Sequence, residues 1–254
     1  MKRRLNLVTF EDPIWPTIQG EGILVGTPSV FIRLWGCDDS CSWCDTKKSW
    51  MPGSTSQELD IDAIVEKARS FRLSHAVITG GNPVLQPELP DLIVALQAEH
   101  YALDMRRVGD QWPGMHVTVE TQASIFDEAV SRHANLMSLS PKLHNWRDEV
   151  VLQYLCAALW REKDIQVKVV VTSTSETLLA LDRFVELFRW TRDNKGKTRD
   201  LVHFILQPES SLGRRGVEMV RSTLEQWRLE HKPGYAYPVV RIIPQFHKVG
   251  LYVR

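Results

Sequence analysis

Three of the four cysteines in this 254-residue sequence fall in one short run, Cys37-x-x-x-Cys41-x-x-Cys44. A loop with that spacing can wrap three thiolates around three corners of a cubane [4Fe–4S] cluster, leaving one iron without a protein ligand. The fourth cysteine, Cys156, lies in the apolar run Val151–Leu159 and is expected to be a buried small hydrophobe. A structural zinc site would want four ligands, and the nearest histidine, His75, is far along the chain. Three neighbouring cysteines cannot all pair with one another, so a disulfide framework is not expected.

An open iron can bind the amino and carboxylate groups of S-adenosylmethionine. An electron from the cluster then breaks a carbon–sulfur bond and starts radical chemistry, with the protein supplying position and orientation. The spacing alone also leaves room for a plain iron–sulfur electron carrier.

Such a site needs a scaffold, and the sequence alternates β-rich and amphipathic runs. Expected strands are Val30–Trp35, Ala76–Thr79, His116–Glu120, Leu136–Ser140, Gln166–Thr172, Val202–Gln207 and Val239–Ile243. Helical spacing appears at Ile61, Ile64, Val65 and Ala68 after the N-cap candidate Asp60. It appears again at Leu89, Leu92, Ile93 and Leu96 after Pro87, at Leu178, Leu181, Val185 and Phe188, and at Val217, Val220, Leu224 and Trp227. Alternating strands and helices predict a mostly parallel sheet. The strands are too few for a closed eightfold barrel, so the expected fold is an α/β partial, open barrel, one domain over residues 1–254. Residues Met105–Gly114 read as a polar loop.

Parallel α/β folds hold their chemistry at the carboxyl ends of the strands. Those ends carry Gly36 and the cysteines, Gly80-Gly81-Asn82-Pro83, Glu120-Thr121-Gln122, Ser140-Pro141-Lys142 and Gln207-Pro208-Glu209. On the first expected strand, period two places Phe31, Arg33 and Trp35 on one face and Val30, Ile32 and Leu34 on the other. Arg33 thus precedes the cysteine loop as a potential bidentate partner for a carboxylate.

Lys plus Arg and Asp plus Glu each number 31, so the net charge is zero. That balance gives no basic field for nucleic acid and no polybasic block for a membrane surface. The apolar stretch after Met-Lys-Arg-Arg is too short for a signal peptide, and no run approaches the roughly 20 residues of a membrane span. A cytoplasmic location is expected.

The cysteine triplet after a first strand resembles the radical S-adenosylmethionine superfamily. Gly80-Gly81-Asn82-Pro83 is similar to that superfamily's second motif, usually Gly-Gly-Glu-Pro, with Asn82 in the glutamate's place. A finer resemblance is to the 7-carboxy-7-deazaguanine synthase family. It is carried by Pro16-Thr17-Ile18-Gln19-Gly20-Glu21-Gly22, Phe31-Ile32-Arg33-Leu34, Cys44-Asp45-Thr46, Ser140-Pro141-Lys142 and Pro244-Gln245-Phe246-His247-Lys248.

The resemblance implies conversion of 6-carboxy-5,6,7,8-tetrahydropterin to 7-carboxy-7-deazaguanine with loss of ammonia, in queuosine-type 7-deazapurine pathways. It implies a [4Fe–4S] cluster on Cys37, Cys41 and Cys44, S-adenosylmethionine, and Mg²⁺ facing Thr46. Substrate contacts would come from Ile18, Gln19, Gly20, Glu21, Arg33, Thr121 and His247. Contacts to S-adenosylmethionine would come from Trp43, Cys44, Asp45, Gly81, Asn82, Ser140, Pro141, Lys142 and Gln207. A flavodoxin- or ferredoxin-like electron donor and a homodimer are further implications. A glycyl-radical-enzyme activase shares the two general motifs, but not the Ile18–Gly22 run or the His247 segment.

Overall fold

The computed structural model describes residues 3–98, 114–195, 200–231 and 237–245. They divide into two compact units, one comprising Met1–Gln19, Gly26–Thr121 and Asp127–Met137, the other Gly20–Val25, Gln122–Phe126 and Ser138–Arg254.

The first unit holds strands β1 (Arg4–Val8), β2 (Ile14–Ile18), β3 (Pro28–Leu34) and β4 (Ser56–Asp60), then helix α1 (Ile61–Ser70), strand β5 (His75–Gly80), helix α2 (Leu89–Gln97), strand β6 (His116–Thr121) and helix α3 (Glu128–His133). Its strand order is β4-β1-β3-β5-β6, with β2 also paired to β3. The pairs β3–β5 and β5–β6 are parallel, and β1 and β2 run antiparallel to β3. Val30, Ile32 and Leu34 of β3 are fully buried, as the alternation predicts.

Strand β7 (Leu136–Leu139) begins in the first unit and ends in the second. The second unit continues with helix α4 (Asp148–Trp160), strand β8 (Ile165–Val171), helix α5 (Thr174–Lys195), strand β9 (Val202–Pro208), helix α6 (Gly213–Glu230) and strand β10 (Val240–Ile242). Its β8–β9 and β9–β10 pairs are parallel. The architecture is therefore α/β with a mostly parallel, open sheet.

Each expected strand is present, with ends shifted by a residue or two. The three strands that the sequence did not reveal, β1, β2 and β4, are the antiparallel ones. They are short, β4 is mostly polar, and β2 contains Pro16. Pairing with neighbours, rather than propensity, makes them strands.

Several local expectations need correction. Helix α2 starts at Leu89 with Pro90 in its first turn, not at Pro87. Asp60 occupies the N-cap position of α1, but its carboxylate accepts from Arg4 Nε at 3.0 Å instead of capping. Leu178 faces solvent, while Leu181, Val185 and Phe188 are buried. Cys156 is half-buried rather than buried. Among the described residues, no helix is long and apolar enough to cross a membrane. Of the expected loop Met105–Gly114, residues 105–113 lie outside the described residues.

Candidate active site

The cysteine loop leaves the carboxyl end of β3. Its entry is fixed by Gly36, whose N–H donates to Ser49 O at 2.9 Å, and a turn closes where Cys44 N donates to Cys41 O at 3.1 Å. None of the three cysteines is in a disulfide; Cys41 is buried and the other two are half-buried. Cys44 Sγ receives two N–H groups, from the Thr46 backbone and from Trp50 Nε1, each at 3.4 Å. Burial pushes the Cys37 thiol up from its ordinary range, and the charges of Asp38 and Cys44 add to that, against a hydrogen bond from the Asp39 backbone. Cys37, Cys41 and Cys44 all come from one short loop, and cysteine sulfur is the ligand an iron–sulfur cluster takes. The donor set fits an iron–sulfur cluster.

The glycine-rich loop after β5 lies directly against this one. Asn82 N donates to Gly36 O at 2.7 Å, and Gly81 N donates to Leu34 O at 3.3 Å. A Cβ on Gly81 would fall 2.0 Å from Gly36 O and 2.9 Å from Cys37 Cβ, so only glycine allows the two loops to touch. Asn82 is buried. Its Nδ2 donates to Asp38 Oδ1 at 2.9 Å, and its Oδ1 accepts from Thr121 Oγ1 at 2.8 Å. The expected substrate residue Thr121 is thus held by Asn82.

Arg33 projects from β3 on the face opposite the buried valine, isoleucine and leucine. Its Nη1 donates to Thr46 Oγ1 at 2.8 Å, its Nε lies 2.7 Å from Glu11 Oε1, and its guanidinium stands 4.9 Å from the Trp15 ring centroid. Thr46 occupies the position before a short 3-10 turn at Lys47–Ser49, yet its side chain makes no cap bond. Its hydroxyl accepts from Arg33 and donates to Asp45 Oδ1 at 2.9 Å. One lone pair therefore remains on Oγ1. Asp45 is exposed and Trp43 half-buried.

The ladder places Arg33 opposite Thr79 on β5, and Ile78 opposite Val119 on β6. Arg33, Thr79 and Glu120 consequently occupy one row on one face of three adjacent strands. Thr79 Oγ1 donates to Glu120 Oε2 at 2.8 Å, and Gln19 Nε2 donates to Glu120 Oε1 at 3.2 Å. Ile18, at the end of β2, is exposed, whereas Gln19 is buried. Neither Thr79 nor Glu120 was singled out by motif. The signal available was their position at strand ends on the same period-two face as Arg33.

In the second unit, Glu21 forms an ion pair with Lys168 and accepts from Gln245 Nε2 at 2.7 Å. Lys168 is 5% exposed on β8, between valines that point the other way. A lysine inside a buried parallel strand is itself the signal that sequence reading passed over. Two residues earlier, Gln166 accepts from the Ile23 N–H at 2.9 Å and donates to Ser138 Oγ at 2.6 Å. A Cβ on Gly22, which has φ +73°, would meet that amide at 2.4 Å, so this glycine lets the Gly20–Val25 segment lie on β8. After β7, Lys142 Nζ donates to Ser140 Oγ at 3.1 Å, and Pro141 between them is buried. Gln207 on β9 is fully buried, and neither amide atom has a partner among the described residues. An unpartnered buried amide costs about 1–3 kcal/mol, and a bound ligand is one way to recover that. His247 lies outside the described residues.

The radical SAM superfamily model matches residues 34–158, which include the cysteine loop and the glycine-rich loop. A 7-carboxy-7-deazaguanine synthase from Aquifex aeolicus is 28% identical, over 97% of this chain and 95% of its own length. Another from Bacillus cereus is 33% identical over 61% of this chain and 62% of its own. One from Halobacterium salinarum is 37% identical over 50% of this chain and 43% of its own. Among solved structures, QueE from Escherichia coli shares the fold with a TM-score of 0.62 and 22% identity, covering 96% of this chain and 95% of that one. Residues 34–158 thus match the radical SAM superfamily, and nearly the whole chain is similar to a 7-carboxy-7-deazaguanine synthase.

Proposed function

We propose that this chain converts 6-carboxy-5,6,7,8-tetrahydropterin to 7-carboxy-7-deazaguanine with loss of ammonia. The observation that carries the reading is the direct contact of Arg33 with Thr46 on the chain that flanks the three-cysteine loop. It pairs a carboxylate-binding cation with a neutral oxygen ligand, next to a radical source. The named relatives, one of them similar along nearly the whole chain, support the same reaction.

Cys37, Cys41 and Cys44 would hold the cluster, and Gly81, with its neighbour Asn82, would face S-adenosylmethionine. When bound, the pair supplies one-electron cleavage chemistry that starts a radical reaction on the substrate. Arg33 would take the substrate carboxylate in a bidentate pair, with its guanidinium already fixed by Glu11 and Trp15. The remaining lone pair of Thr46 would serve Mg²⁺, which keeps most of its waters when protein ligands are few. In the second unit, Gln207, Ser140, Pro141 and Lys142 are assigned to S-adenosylmethionine, and Glu21 to the pterin, on family resemblance. The reaction is redox-neutral overall, since removal of ammonia from the substrate gives the product. The electron that primes the cluster would come from a flavodoxin- or ferredoxin-like donor. A homodimer and a cytoplasmic location belong to the same reading and rest on that resemblance.

The test is anaerobic turnover of reconstituted protein with S-adenosylmethionine, Mg²⁺, a reductant and 6-carboxytetrahydropterin. The expected result is 7-carboxy-7-deazaguanine with one equivalent of ammonia. Intact cluster, intact substrate and no product would refute it.

A further inference from the structure

We infer that Trp50 tunes the reduction potential of the cluster assigned to Cys37, Cys41 and Cys44, through the hydrogen bond from its indole to the Cys44 sulfur. The inference rests on the cluster reading above and not on the identity of the substrate. Its basis is the contact itself: Trp50 Nε1 donates to Cys44 Sγ at 3.4 Å, beside the Thr46 backbone N–H at the same distance. Trp50 lies outside every motif named in the sequence.

The chain builds this contact by folding back on the cysteine loop. Residues Lys47–Ser49 form a 3-10 turn, closed where Trp50 N donates to Lys47 O at 3.1 Å. Ser49 is fully buried. Its N–H and its hydroxyl both donate to Thr46 O, at 2.9 and 2.7 Å, and its carbonyl accepts from Gly36 N at 2.9 Å. The segment after Cys44 is thereby tied to the residue before Cys37. Trp50 is half-buried, and an indole in that position can give its N–H to water. Here it gives it to a sulfur, and a cysteine thiol is a weak acceptor. The same bond is stronger when the sulfur is a cluster ligand that carries negative charge.

Reduction adds one electron, and so one negative charge, to a cluster and its sulfurs. An N–H aimed at a ligand sulfur therefore interacts more strongly with the reduced state than with the oxidised one, and raises the potential. The acids of the loop act in the opposite sense. Asp38 and Asp39 follow Cys37, and Asp45 follows Cys44, and each carboxylate makes a further negative charge costlier. Trp50 offsets part of that cost. It touches a ligand of the cluster and not the reacting atoms, so it is a positioning residue. Its consequence is a larger reduced fraction of cluster at any given potential of the electron donor.

The experiment is a redox titration of anaerobically reconstituted protein, followed by the EPR signal of the reduced cluster. Trp50→Phe keeps an aromatic ring and lacks the donor. Its iron content and visible absorbance should match wild type. At the wild-type midpoint, its ratio of reduced to oxidised cluster should fall about threefold to tenfold, a midpoint more negative by about 30–60 mV for a one-electron couple. Met51→Ala, at the exposed neighbour, should leave the midpoint unchanged. Protein labelled with ¹⁵N at its indole nitrogens should show a ¹⁵N coupling to the reduced cluster in pulsed EPR, kept in Trp43→Phe and lost in Trp50→Phe. Wild type that holds no [4Fe–4S] cluster refutes the cluster reading and this inference with it. A loaded Trp50→Phe with the wild-type midpoint, or a shift that Met51→Ala reproduces, overturns the Trp50 inference and leaves the cluster reading standing. Should Trp50→Phe not hold a cluster, labelled wild type and Trp43→Phe decide the matter, and absence of the ¹⁵N coupling from either overturns the inference.

Discussion

Arg33 and Thr46 share a hydrogen bond, Nη1 to Oγ1 at 2.8 Å, so the candidate carboxylate clamp and the candidate magnesium ligand are one unit. A guanidinium beside a divalent-cation position repels the ion until an anion enters between them. Mg²⁺ should therefore bind weakly to the protein alone and much more tightly once the substrate carboxylate is present. Thr46→Val removes the oxygen and should raise the Mg²⁺ concentration for half-maximal turnover about tenfold, with iron content unchanged. Magnesium titrations with and without 6-carboxypterin check the first expectation, and steady-state assays the second.

Arginine at position 33 is a matter of geometry as well as charge. Lysine keeps the charge but loses the planar fork that contacts Thr46 and faces Trp15. Arg33→Lys should raise KM for the pterin by about tenfold to a hundredfold, from the loss of one charge-assisted hydrogen bond of about 1.5–3 kcal/mol. The fall in kcat should be smaller.

The cysteines divide three to one. Cys37→Ser, Cys41→Ser and Cys44→Ser should each fail to retain a full cluster, seen as loss of iron and of visible absorbance in anaerobically reconstituted protein. Cys156→Ser, on α4 and outside the motif, should retain both.

Lys168 and Glu21 form a buried ion pair, with side chains 7% and 11% exposed. Removing one partner strands the other, at a cost of about 3–5 kcal/mol. Lys168→Met should lower the urea midpoint accordingly, and the Lys168→Met, Glu21→Gln double variant should recover most of the loss. Additive losses in the double variant would mean that the pair does not act as a unit.

His75 gives the fold an acid limit. It is buried on β5, with Nδ1 2.7 Å from Ser29 Oγ and Nε2 2.8 Å from Thr118 Oγ1. Burial, with a smaller effect from His116, pushes its pKa down to about 3. The folded value lies below the unfolded value of about 6.5, so its contribution is complete above pH 6.5 and declines as pH falls toward 3. Between pH 7.5 and 5 this one residue should remove about 2 kcal/mol. Urea unfolding across that range should show the slope, and His75→Gln, which cannot ionise, should flatten it.

The parallel strands and the cluster loop were legible in sequence because both rest on local pattern. Valine- and isoleucine-rich runs between helical stripes report burial on both faces of a strand, and three thiols in one short loop can meet without help from the rest of the chain. Arg33 was legible for the same reason, since period two fixes its face once the strand is known.

Other features depended on partners distant in sequence. Strands β1, β2 and β4 exist through antiparallel pairing, β2 in spite of Pro16 and β4 in spite of its polar residues. Asp60 had the identity of a cap, but Arg4 across the β1–β4 pair claimed its carboxylate. Glu120 looked like an ordinary polar strand end until register set it in line with Thr79 and Arg33. Lys168 looked like a charged residue in a valine run until Glu21, 147 positions away, was found against it. Sequence by itself pointed to an open-iron cluster, through the type and spacing of three cysteines. Tertiary structure decided which charges are paired with which, because an electrostatic partner is chosen by distance in space and not along the chain.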